Sequence, residues 1–255
     1  MGHVAKGECI QMTELLEKAE RLKAASQTLA MLSTEEKNAA LEQIAQALDR
    51  ERAFILQENE KDMAQGREQG LSPALLDRLQ LTNERLDQII GGVRQVASLP
   101  DPVGEIVEEW TRPNGLRIQT VRVPLGVIGM VYEARPNVTV DAASLCLKTG
   151  NAVLLRGSSS ALHSNKALVS VMKGALRTTA VPDAAIELLE DTRRETAQQM
   201  FRLNDYLDVL IRAAAPGSSA RSSKTPPCPC LKPASATVIC SSTNQPSGKW
   251  RSTSS

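Results

Sequence analysis

The segment richest in anion-binding groups runs from Arg156 to Asn165 (RGSSSALHSN), directly after the apolar run AVLLR. Arg156 carries a guanidinium, Gly157 lets a ligand approach the backbone closely, and Ser158 and Ser159 carry hydroxyls. A helix is predicted to begin here, and the amides at a helix N-terminus attract anions. Together these groups predict a cradle for a phosphate or a ribose.

The same segment also has an interpretation without a ligand. Ser160 can cap the helix while Arg156 stays in solvent, because hydroxyl-rich loops often serve only as caps. His163 could act as a base or bind phosphate, but a histidine without a partner at a fixed spacing is more often structural. The sequence holds no G-x-G-x-x-G and no P-loop motif, so the residues alone leave both interpretations open.

A second candidate segment, YEARPN (132–137), also lies between a predicted strand and a predicted helix. Glu133, Arg135 and Asn137 are the groups that could face a ligand there. The alternative is again local, with Asn137 capping the helix and Glu133 paired with Arg135. On the residues alone, the capping interpretation is favoured.

The five cysteines predict neither a disulfide framework nor a metal site. Cys146 lies between two leucines on a predicted buried helix, which favours a core thiol over a nucleophile. Cys228, Cys230 and Cys240 have no histidine nearby, and the proline between the first two hinders convergence on a metal.

Alternating strands and helices must position both candidate segments. After Pro124 the sequence predicts four strands (VIGMVY, AVLLR, AIELLE, YLDVLI) separated by helices at about Val138 to Lys148, Ser160 to Arg177, and from a Thr192/Glu195 capping box to Leu203. This order is typical of a parallel sheet covered on both faces, an α/β Rossmann-type fold in which ligands bind beyond the carboxyl ends of the strands.

The region before this sheet is predicted to be mostly helical. The expected elements are helices from Met12 to about Ala25, after a Ser33/Glu36 capping box, from Ser72-Pro73, and from Thr82 to about Val96, followed by the alternating strand LRIQTVRV from Leu116. Residues 1–11 lack periodicity and are predicted to be a leader or upstream readthrough.

Composition divides the chain at Arg212. The formal net charge is +1, but residues 213–255 contain five basic residues, no acidic residue, 11 serines and six prolines. Such a segment has too few apolar groups to offset the entropy of ordering it, so residues 213–255 are predicted to be a disordered tail. No apolar run is long enough to span a bilayer, and the overall charge does not suggest a nucleic-acid partner. We therefore expect a cytoplasmic protein without membrane or nucleic-acid partners.

Three long segments resemble the γ-glutamyl phosphate reductases, also called glutamate-5-semialdehyde dehydrogenases, of the aldehyde dehydrogenase superfamily. They are VPLGVIGMVYEARPNVTVDAASLCLKTGNAVLLRG (123–157), the following ALHSN, and LLEDTRRETAQQMFRLNDYLDVLI (188–211). The resemblance extends from about Met12 and stops at Arg212. In that family the strand that corresponds to DVLI is followed by a Pro-Arg-Gly-Gly turn and later by a Gly-Asn-Cys-His segment that carries the nucleophilic cysteine. Neither is present here.

A shift of reading frame accounts for this loss. Codons chosen for Arg212 to Gly217, regrouped out of register, encode Arg-Gly-Gly-Ala-Gly, which resembles the missing turn. The same regrouping from Ser218 to Cys240 yields LIRTVVENATVPVLETGVGNCHL, with the cysteine codon straddling Thr237 and Val238. We therefore predict that residues from about Ala213 onward are a frameshift product, arising from a lesion or a sequencing error.

The resemblance implies an enzyme that reduces L-glutamate 5-phosphate to glutamate 5-semialdehyde with NADPH in proline biosynthesis. It implies that residues 12–212 form an NADP-binding domain, with Arg156, Gly157, Ser158 and Ser159 at the cofactor. A cation with hydroxyls and no acid in the loop favours NADP over NAD. One departure is Ser158, where the family more often has a second glycine.

The resemblance further implies that Glu133, Arg135 and Asn137 face the substrate, that the intact enzyme is a homo-oligomer, and that it is functionally linked to glutamate 5-kinase. Since the nucleophile is absent, this chain is expected to be inactive. The alternative is a non-catalytic nucleotide-binding fragment.

Overall fold

A computed structural model describes the backbone of residues 4–213 and 237–240, with side chains for residues 14–193 and 195–212. Residues 1–3, part of the predicted leader, lie outside the described residues. So does most of the predicted tail.

Five helices form the N-terminal part: α1 Val4–Leu29, α2 Thr34–Arg50, α3 Arg52–Glu68, α4 Pro73–Leu79 and α5 Asn83–Ser98. The Ser33/Glu36 capping box is confirmed, because the Ser33 hydroxyl accepts from the Glu36 amide and the Glu36 carboxylate accepts from the Ser33 amide. Thr82 likewise caps α5 by accepting from the Arg85 amide. The sequence did not predict α3, and α1 begins at Val4 instead of Met12.

An antiparallel hairpin of β1 Ile106–Thr111 and β2 Arg117–Val121 follows the helices. The predicted alternating strand corresponds to β2, and its partner β1 was not predicted. Both strands are almost entirely exposed. The hairpin therefore contributes little to the core of this chain.

The predicted parallel sheet is confirmed. Its elements are β3 Val127–Tyr132, α6 Pro136–Lys148, β4 Ala152–Arg156, α7 Leu162–Leu176, β5 Ile186–Leu188, α8 Arg194–Met200, β6 Val209–Ala213 and β7 Thr237–Cys240. The strand order is β5-β4-β3-β6-β7, with β3, β4, β5 and β6 parallel and β7 antiparallel to β6. The short strand β7 falls within the segment predicted to be a disordered tail.

Helices cover the sheet on both faces, as the continuous apolar runs of β3 and β4 require. Helices α6 and α7 pack against each other and against β3, β4 and β5, while α1 packs on the same strands. Right-handed crossovers place α6 and α7 on one face, and the reversal of direction between β5 and β6 places α8 on the other. One apolar core joins the sheet to α1, α2 and α5.

The predicted Thr192/Glu195 capping box does not form. The cap of α8 is Arg193, without a side-chain hydrogen bond. The Thr192 carbonyl instead accepts from Arg156, and the acid that binds a nearby threonine, Thr196, is Asp191. Tertiary contacts at the end of β5 thus replace the local cap. In the described parts of the chain, no helix is long and apolar enough to cross a membrane.

Candidate functional site

The two candidate segments begin side by side. Strands β3 and β4 are parallel neighbours, and Val131 is opposite Arg156 in their register. The loop after Tyr132 and the loop after Arg156 therefore leave the same edge of the sheet. This edge is where open parallel sheets bind their ligands.

A buried chain of polar groups links the two loops. The Tyr132 hydroxyl lies 2.7 Å from the Thr139 hydroxyl, and Thr139 donates to Asn165 Oδ1 at 2.8 Å. All three side chains are buried, and burial raises the pKa of the Tyr132 phenol, which keeps it neutral. The chain joins the end of β3 to the first turns of α6 and α7.

Asn165 Nδ2 is buried, has no hydrogen-bond partner among the residues that the structure describes, and faces Gly157. A Cβ on Gly157 would lie 2.3 Å from this nitrogen and 3.3 Å from the Tyr132 ring. Gly157 is thus required by the close approach of the Asn165 amide, in addition to any approach of a ligand. Sequence reasoning missed Asn165, although a polar residue on the buried face of a predicted helix was a usable signal.

Arg156 is half-buried instead of solvated, which corrects the ligand-free interpretation. One terminal nitrogen of its guanidinium donates to the carbonyls of Thr192 and Arg193, the latter at 3.2 Å. Its Nε is buried and has no partner in the structure. Burial lowers the pKa of Arg156, and the negative charge of Asp191 partly offsets this effect.

The loop that follows Arg156 contains no acidic residue, but an acidic residue from another segment lies near Arg156 in the folded chain. Asp191, from the loop after β5, is close enough to Arg156 to stabilise its charge. Asp191 is itself paired with Arg193 at 2.9 Å, and hydrogen bonds from Thr196 and Arg193 outweigh burial and lower its pKa. The loop sequence thus lacks an acidic residue, but the folded site does not. Two guanidiniums, those of Arg156 and Arg193, still face the one carboxylate of Asp191.

The N-terminus of α7 is occupied by a side chain from α3. The carboxylate of Asp62 accepts from the amides of His163 at 3.1 Å and Ser164 at 2.7 Å, and from the Ser164 hydroxyl at 2.6 Å. Asp62 is fully buried, and burial raises its pKa although these hydrogen bonds oppose the rise. The helix start is thus not an open phosphate site, which corrects that part of the prediction.

The predicted Ser160 cap does not form either. A single 3-10 turn spans Ser159–Ala161, α7 begins at Leu162, and its cap residue Ala161 has no side-chain hydrogen bond. Ser160 instead lies 3.1 Å from the Ser158 hydroxyl, while Ser159 is exposed. Ser159 thus has the exposed hydroxyl of this loop, whereas the hydroxyls of Ser158 and Ser160 are bonded to each other.

His163 does not face the loop. Its Nδ1 lies 3.6 Å from the carboxylate of Glu58 on α3, and its side chain is about half exposed. The structural interpretation of His163 is therefore favoured.

Neither local interpretation of the segment after β3 is correct. Helix α6 begins at Pro136, two residues before the predicted start, and Arg135 is its cap residue. Asn137 lies within the first turn and donates weakly to Asp141 at 3.3 Å. The exposed side chains of Glu133 and Arg135 do not pair; only their backbones are bonded, at 2.8 Å.

Arg135 and Asn137 line an open cleft of about 360 Å³. The opposite wall comes from the end of α4 and the start of α5, and includes Arg78, Arg85 and Gln88. The cleft borders the loop after β3, which lies at the switch point between β3 and β6, where strand order reverses. Small-molecule sites are found at such switch points. Glu133 does not line this cleft, so the three predicted substrate residues are only partly brought together.

Cys146 is confirmed as a core thiol, and burial raises its pKa to about 12. It is therefore unsuited to act as a nucleophile at neutral pH. Among the described residues there is no cluster of histidine, cysteine and acidic side chains that could hold a metal ion.

Sequence comparisons show which family this chain resembles. The family model described as "Aldehyde dehydrogenase family" matches residues 1–210. The chain is 89% identical over 206 residues to the gamma-glutamyl phosphate reductase of Geobacillus kaustophilus, covering 81% of this chain and 50% of that protein. It is 70% identical over 206 residues, with the same coverage, to the reductase of Anoxybacillus flavithermus. The chain thus spans about half the length of the curated relatives that it matches.

Solved structures give the same result. The crystal structure of gamma-glutamyl phosphate reductase from Thermotoga maritima matches with a TM-score of 0.79 and 46% identity, covering 80% of this chain and 49% of that one. The reductase from Saccharomyces cerevisiae matches with a TM-score of 0.70 and 27% identity, covering 76% of this chain and 49% of that one. Because the family model matches well over half of its residues, the chain belongs to the aldehyde dehydrogenase family.

Proposed function

We propose that this chain is the cofactor-binding part of a γ-glutamyl phosphate reductase, an oxidoreductase that reduces L-glutamate 5-phosphate to L-glutamate 5-semialdehyde in proline biosynthesis. The observation that carries the proposal is the 89% identity to a reductase of that name over 206 residues. The juxtaposition of the loops after β3 and β4 supports it, because a cofactor and a substrate must meet at one edge of the sheet.

The cofactor in this proposal is NADPH, held at Arg156, Gly157, Ser158 and Ser159. The residues fit its adenosine ribose: among the described residues the buried Nε of Arg156 has no hydrogen-bond partner, and Ser159, three positions further along the same loop, is exposed. Arg193, at the start of α8, adds a second guanidinium, which favours a 2′-phosphate despite the presence of Asp191. A bound nicotinamide supplies the hydride.

The helix N-terminus that usually holds a pyrophosphate is occupied here by Asp62. We therefore assign the affinity of this part of the site to the ribose side of the cofactor. Residues 12–212 form the proposed cofactor domain.

The substrate in this proposal lies in the cleft beside the loop after β3, near Arg135 and Asn137, while Glu133 lies on the same loop outside the cleft lining. In the complete reaction a cysteine thiolate displaces phosphate from the acyl phosphate to give a thioester, which hydride then reduces to the aldehyde. The described cysteine, Cys146, is buried and cannot take that role. We infer that the 255-residue chain binds the cofactor without turnover, and that residues 213–255 are out of frame.

The proposed partners follow from the same assignment. Glutamyl phosphate is an acyl phosphate that a glutamate 5-kinase must supply. The exposed β1–β2 hairpin carries the apolar side chains of Ile106, Val107 and Trp110, which support a homo-oligomer of the longer enzyme.

The proposal is tested by comparing two proteins. One is the 255-residue chain; the other is the product of a gene in which one inserted base at the Arg212 codon restores the Gly-Asn-Cys-His segment. Both are expected to bind NADPH, as followed by its fluorescence, and only the restored protein is expected to oxidise NADPH with glutamyl phosphate generated in place by a kinase. Turnover by the 255-residue chain would contradict the missing nucleophile, and a restored protein that binds NADPH without turnover would favour a non-catalytic binder.

A further inference from the structure

The cleft beside the loop after β3 has charged groups on both walls that lack partners. Arg85, on one wall, already has partners: it donates to the Asp77 carboxylate at 2.7 Å and to the Gln80 carbonyl at 2.8 Å. Arg78 on the same wall and Arg135 on the opposite wall have no side-chain partner among the residues that the structure describes. Two guanidiniums without side-chain partners in the described residues thus line one cleft, and an anion bound between them would be stabilised by both charges.

A carboxylate without a cation lies in the same cleft. Asp141, on the second turn of α6, accepts only a long hydrogen bond of 3.3 Å from Asn137 within the described part of the protein. Burial raises the pKa of Asp141, as expected for a carboxylate that is partly removed from water without a cation beside it. The cleft therefore offers positions for both an anion and a cation.

The lining of the cleft also includes apolar side chains. Leu81, Ile89 and Pro136 contribute buried side chains to its lining. A ligand with a short methylene chain would cover them. The volume of about 360 Å³ is within the range of small-molecule sites.

We infer that this cleft binds the amino-acid head of the substrate, with the α-carboxylate between Arg78 and Arg135 and the α-ammonium at Asp141. The inference rests on the proposed function and deepens it, because Arg78 and Asp141 then select an α-amino acid over a simple aldehyde or acyl phosphate. Arg135 links this head-group site to the loop after β3. The methylenes of the substrate lie along Leu81, Ile89 and Pro136.

Three ligands distinguish the contribution of the α-carboxylate to binding from that of the α-ammonium. L-Glutamate carries both, glutarate lacks the ammonium, and 4-aminobutyrate lacks the α-carboxylate. Binding to the 255-residue chain is measured by calorimetry or ligand-detected NMR for the wild type, Arg78→Gln and Asp141→Asn. The matched controls are Arg112→Gln and Asp205→Asn, because both residues are exposed and neither lines the cleft.

Arg78→Gln is expected to weaken binding of L-glutamate and glutarate about tenfold and to leave 4-aminobutyrate unchanged, since one charge-assisted hydrogen bond is lost. Asp141→Asn is expected to weaken L-glutamate and 4-aminobutyrate by a similar factor and to spare glutarate. The two controls should bind all three ligands as the wild type does. Melting temperatures of the four variants confirm that each is folded.

Equal losses for all three ligands, or no binding of L-glutamate at millimolar concentrations, would overturn the inference. NADPH binding, measured on the same samples, separates this failure from failure of the proposed function. A chain that binds NADPH but shows no charge-selective loss disproves the head-group site alone. A chain that shows the charge-selective losses without binding NADPH disproves the cofactor assignment alone.

Discussion

Gly157 sets the geometry of the loop after β4 at the scale of one residue. The side-chain amide of Asn165 occupies the space that a Cβ at position 157 would need, and Asn165 is held in place by Thr139 and Tyr132. A ligand at Arg156 therefore meets a loop whose position is fixed by a buried polar chain from two other elements. The absence of a side chain at position 157 is the condition for that arrangement.

Replacing Gly157 tests this constraint. Gly157→Ala is expected to lower the free energy of unfolding by about 1–3 kcal/mol, because the new methyl group overpacks the site and displaces the Asn165 amide. Adding Asn165→Ala should recover part of the loss, measured as a coupling energy in urea unfolding.

Gly174 on α7 provides the control for Gly157, since nothing lies within 4 Å of its missing Cβ. Gly174→Ala is expected to stabilise the protein by about 0.5–1 kcal/mol, as alanine does in an exposed helix interior. Additive effects of Gly157→Ala and Asn165→Ala would contradict the proposed contact.

At the scale of elements, the start of α7 depends on α3. Asp62 satisfies two backbone amides and one hydroxyl there, and Asn59 donates to Ser164 at 2.9 Å from one turn earlier on α3. Without these groups the first turn of α7 would have buried unsatisfied donors. The contact thus couples an N-terminal helix to the edge of the sheet that carries the site.

Asp62→Ala is expected to cost about 3 kcal/mol of unfolding free energy, since three buried donors lose their acceptor. Glu60→Ala on the same helix is the control; its exposed pair with Arg67 should contribute less than about 1 kcal/mol. Chemical denaturation measures both values. Equal effects of the two variants would be inconsistent with a capping role for Asp62.

A buried ion pair joins α2 to the segment after α5. Lys37 and Asp101 are 2% and 7% exposed, and Asp101 also accepts from Thr34 and from the Val103 amide. Although burial favours the neutral acid, the hydrogen bonds from Lys37, Val103 and Thr34 together lower the pKa of Asp101. Lowering a folded-state pKa stabilises the protein above the unfolded-state value, and the stabilisation is lost as pH falls through the folded-state value.

Lys37→Met is therefore expected to destabilise the protein by about 3–5 kcal/mol at pH 7, because it leaves a buried carboxylate without its cation. The difference from the wild type should shrink as the pH falls, and it should disappear only once the pH passes below the lowered folded-state pKa of wild-type Asp101. Urea unfolding at a series of pH values gives the measurement. The double variant Lys37→Met/Asp101→Asn should recover stability at pH 7, and a pH-independent loss would exclude this account.

At the scale of the whole molecule, the hairpin extends from the core with its apolar side chains exposed. Trp110 is 41% exposed and Val123, just after β2, is 73% exposed. Ile106, Val107 and Val121 add exposed apolar side chains to the same hairpin, and large exposed apolar patches mark protein interaction surfaces. The hairpin is thus the surface through which copies of the chain are expected to associate.

Trp110→Ser/Val123→Thr is expected to change the unfolding free energy by no more than about 0.5 kcal/mol, because neither side chain belongs to the core. The same variant should reduce concentration-dependent self-association in sedimentation velocity. Met31→Thr, at an 85% exposed residue distant from the hairpin in sequence, is the control and should associate as the wild type does. A large fall in stability with unchanged association would count against this interface.

Local features of the sequence predicted much of the fold. The helix caps at Ser33 and Thr82 each involve a partner only three residues further along the chain. The runs of β3 and β4 are apolar on both faces because these strands are buried in the middle of the sheet. Where a local signal competed with a tertiary one, the prediction failed. Thr192 has the spacing of a capping box, but its carbonyl is used by Arg156 and Arg193 caps the helix instead.

The sequence by itself determined the strand and helix order, the family resemblance, and the loops that carry Arg156 and Arg135, because each of these depends on neighbours in the chain. The tertiary structure decided which groups are free to act. Asp62, more than a hundred residues away in the chain, accepts a hydrogen bond from the amide of Ser164 at the start of α7. Asn165 Nδ2 lies where a side chain at position 157 would be. Arg78 and Asp141 come to one cleft only when α4 and α5 pack beside α6. Contacts between distant segments leave no periodic pattern in the sequence, so only the folded chain specifies them.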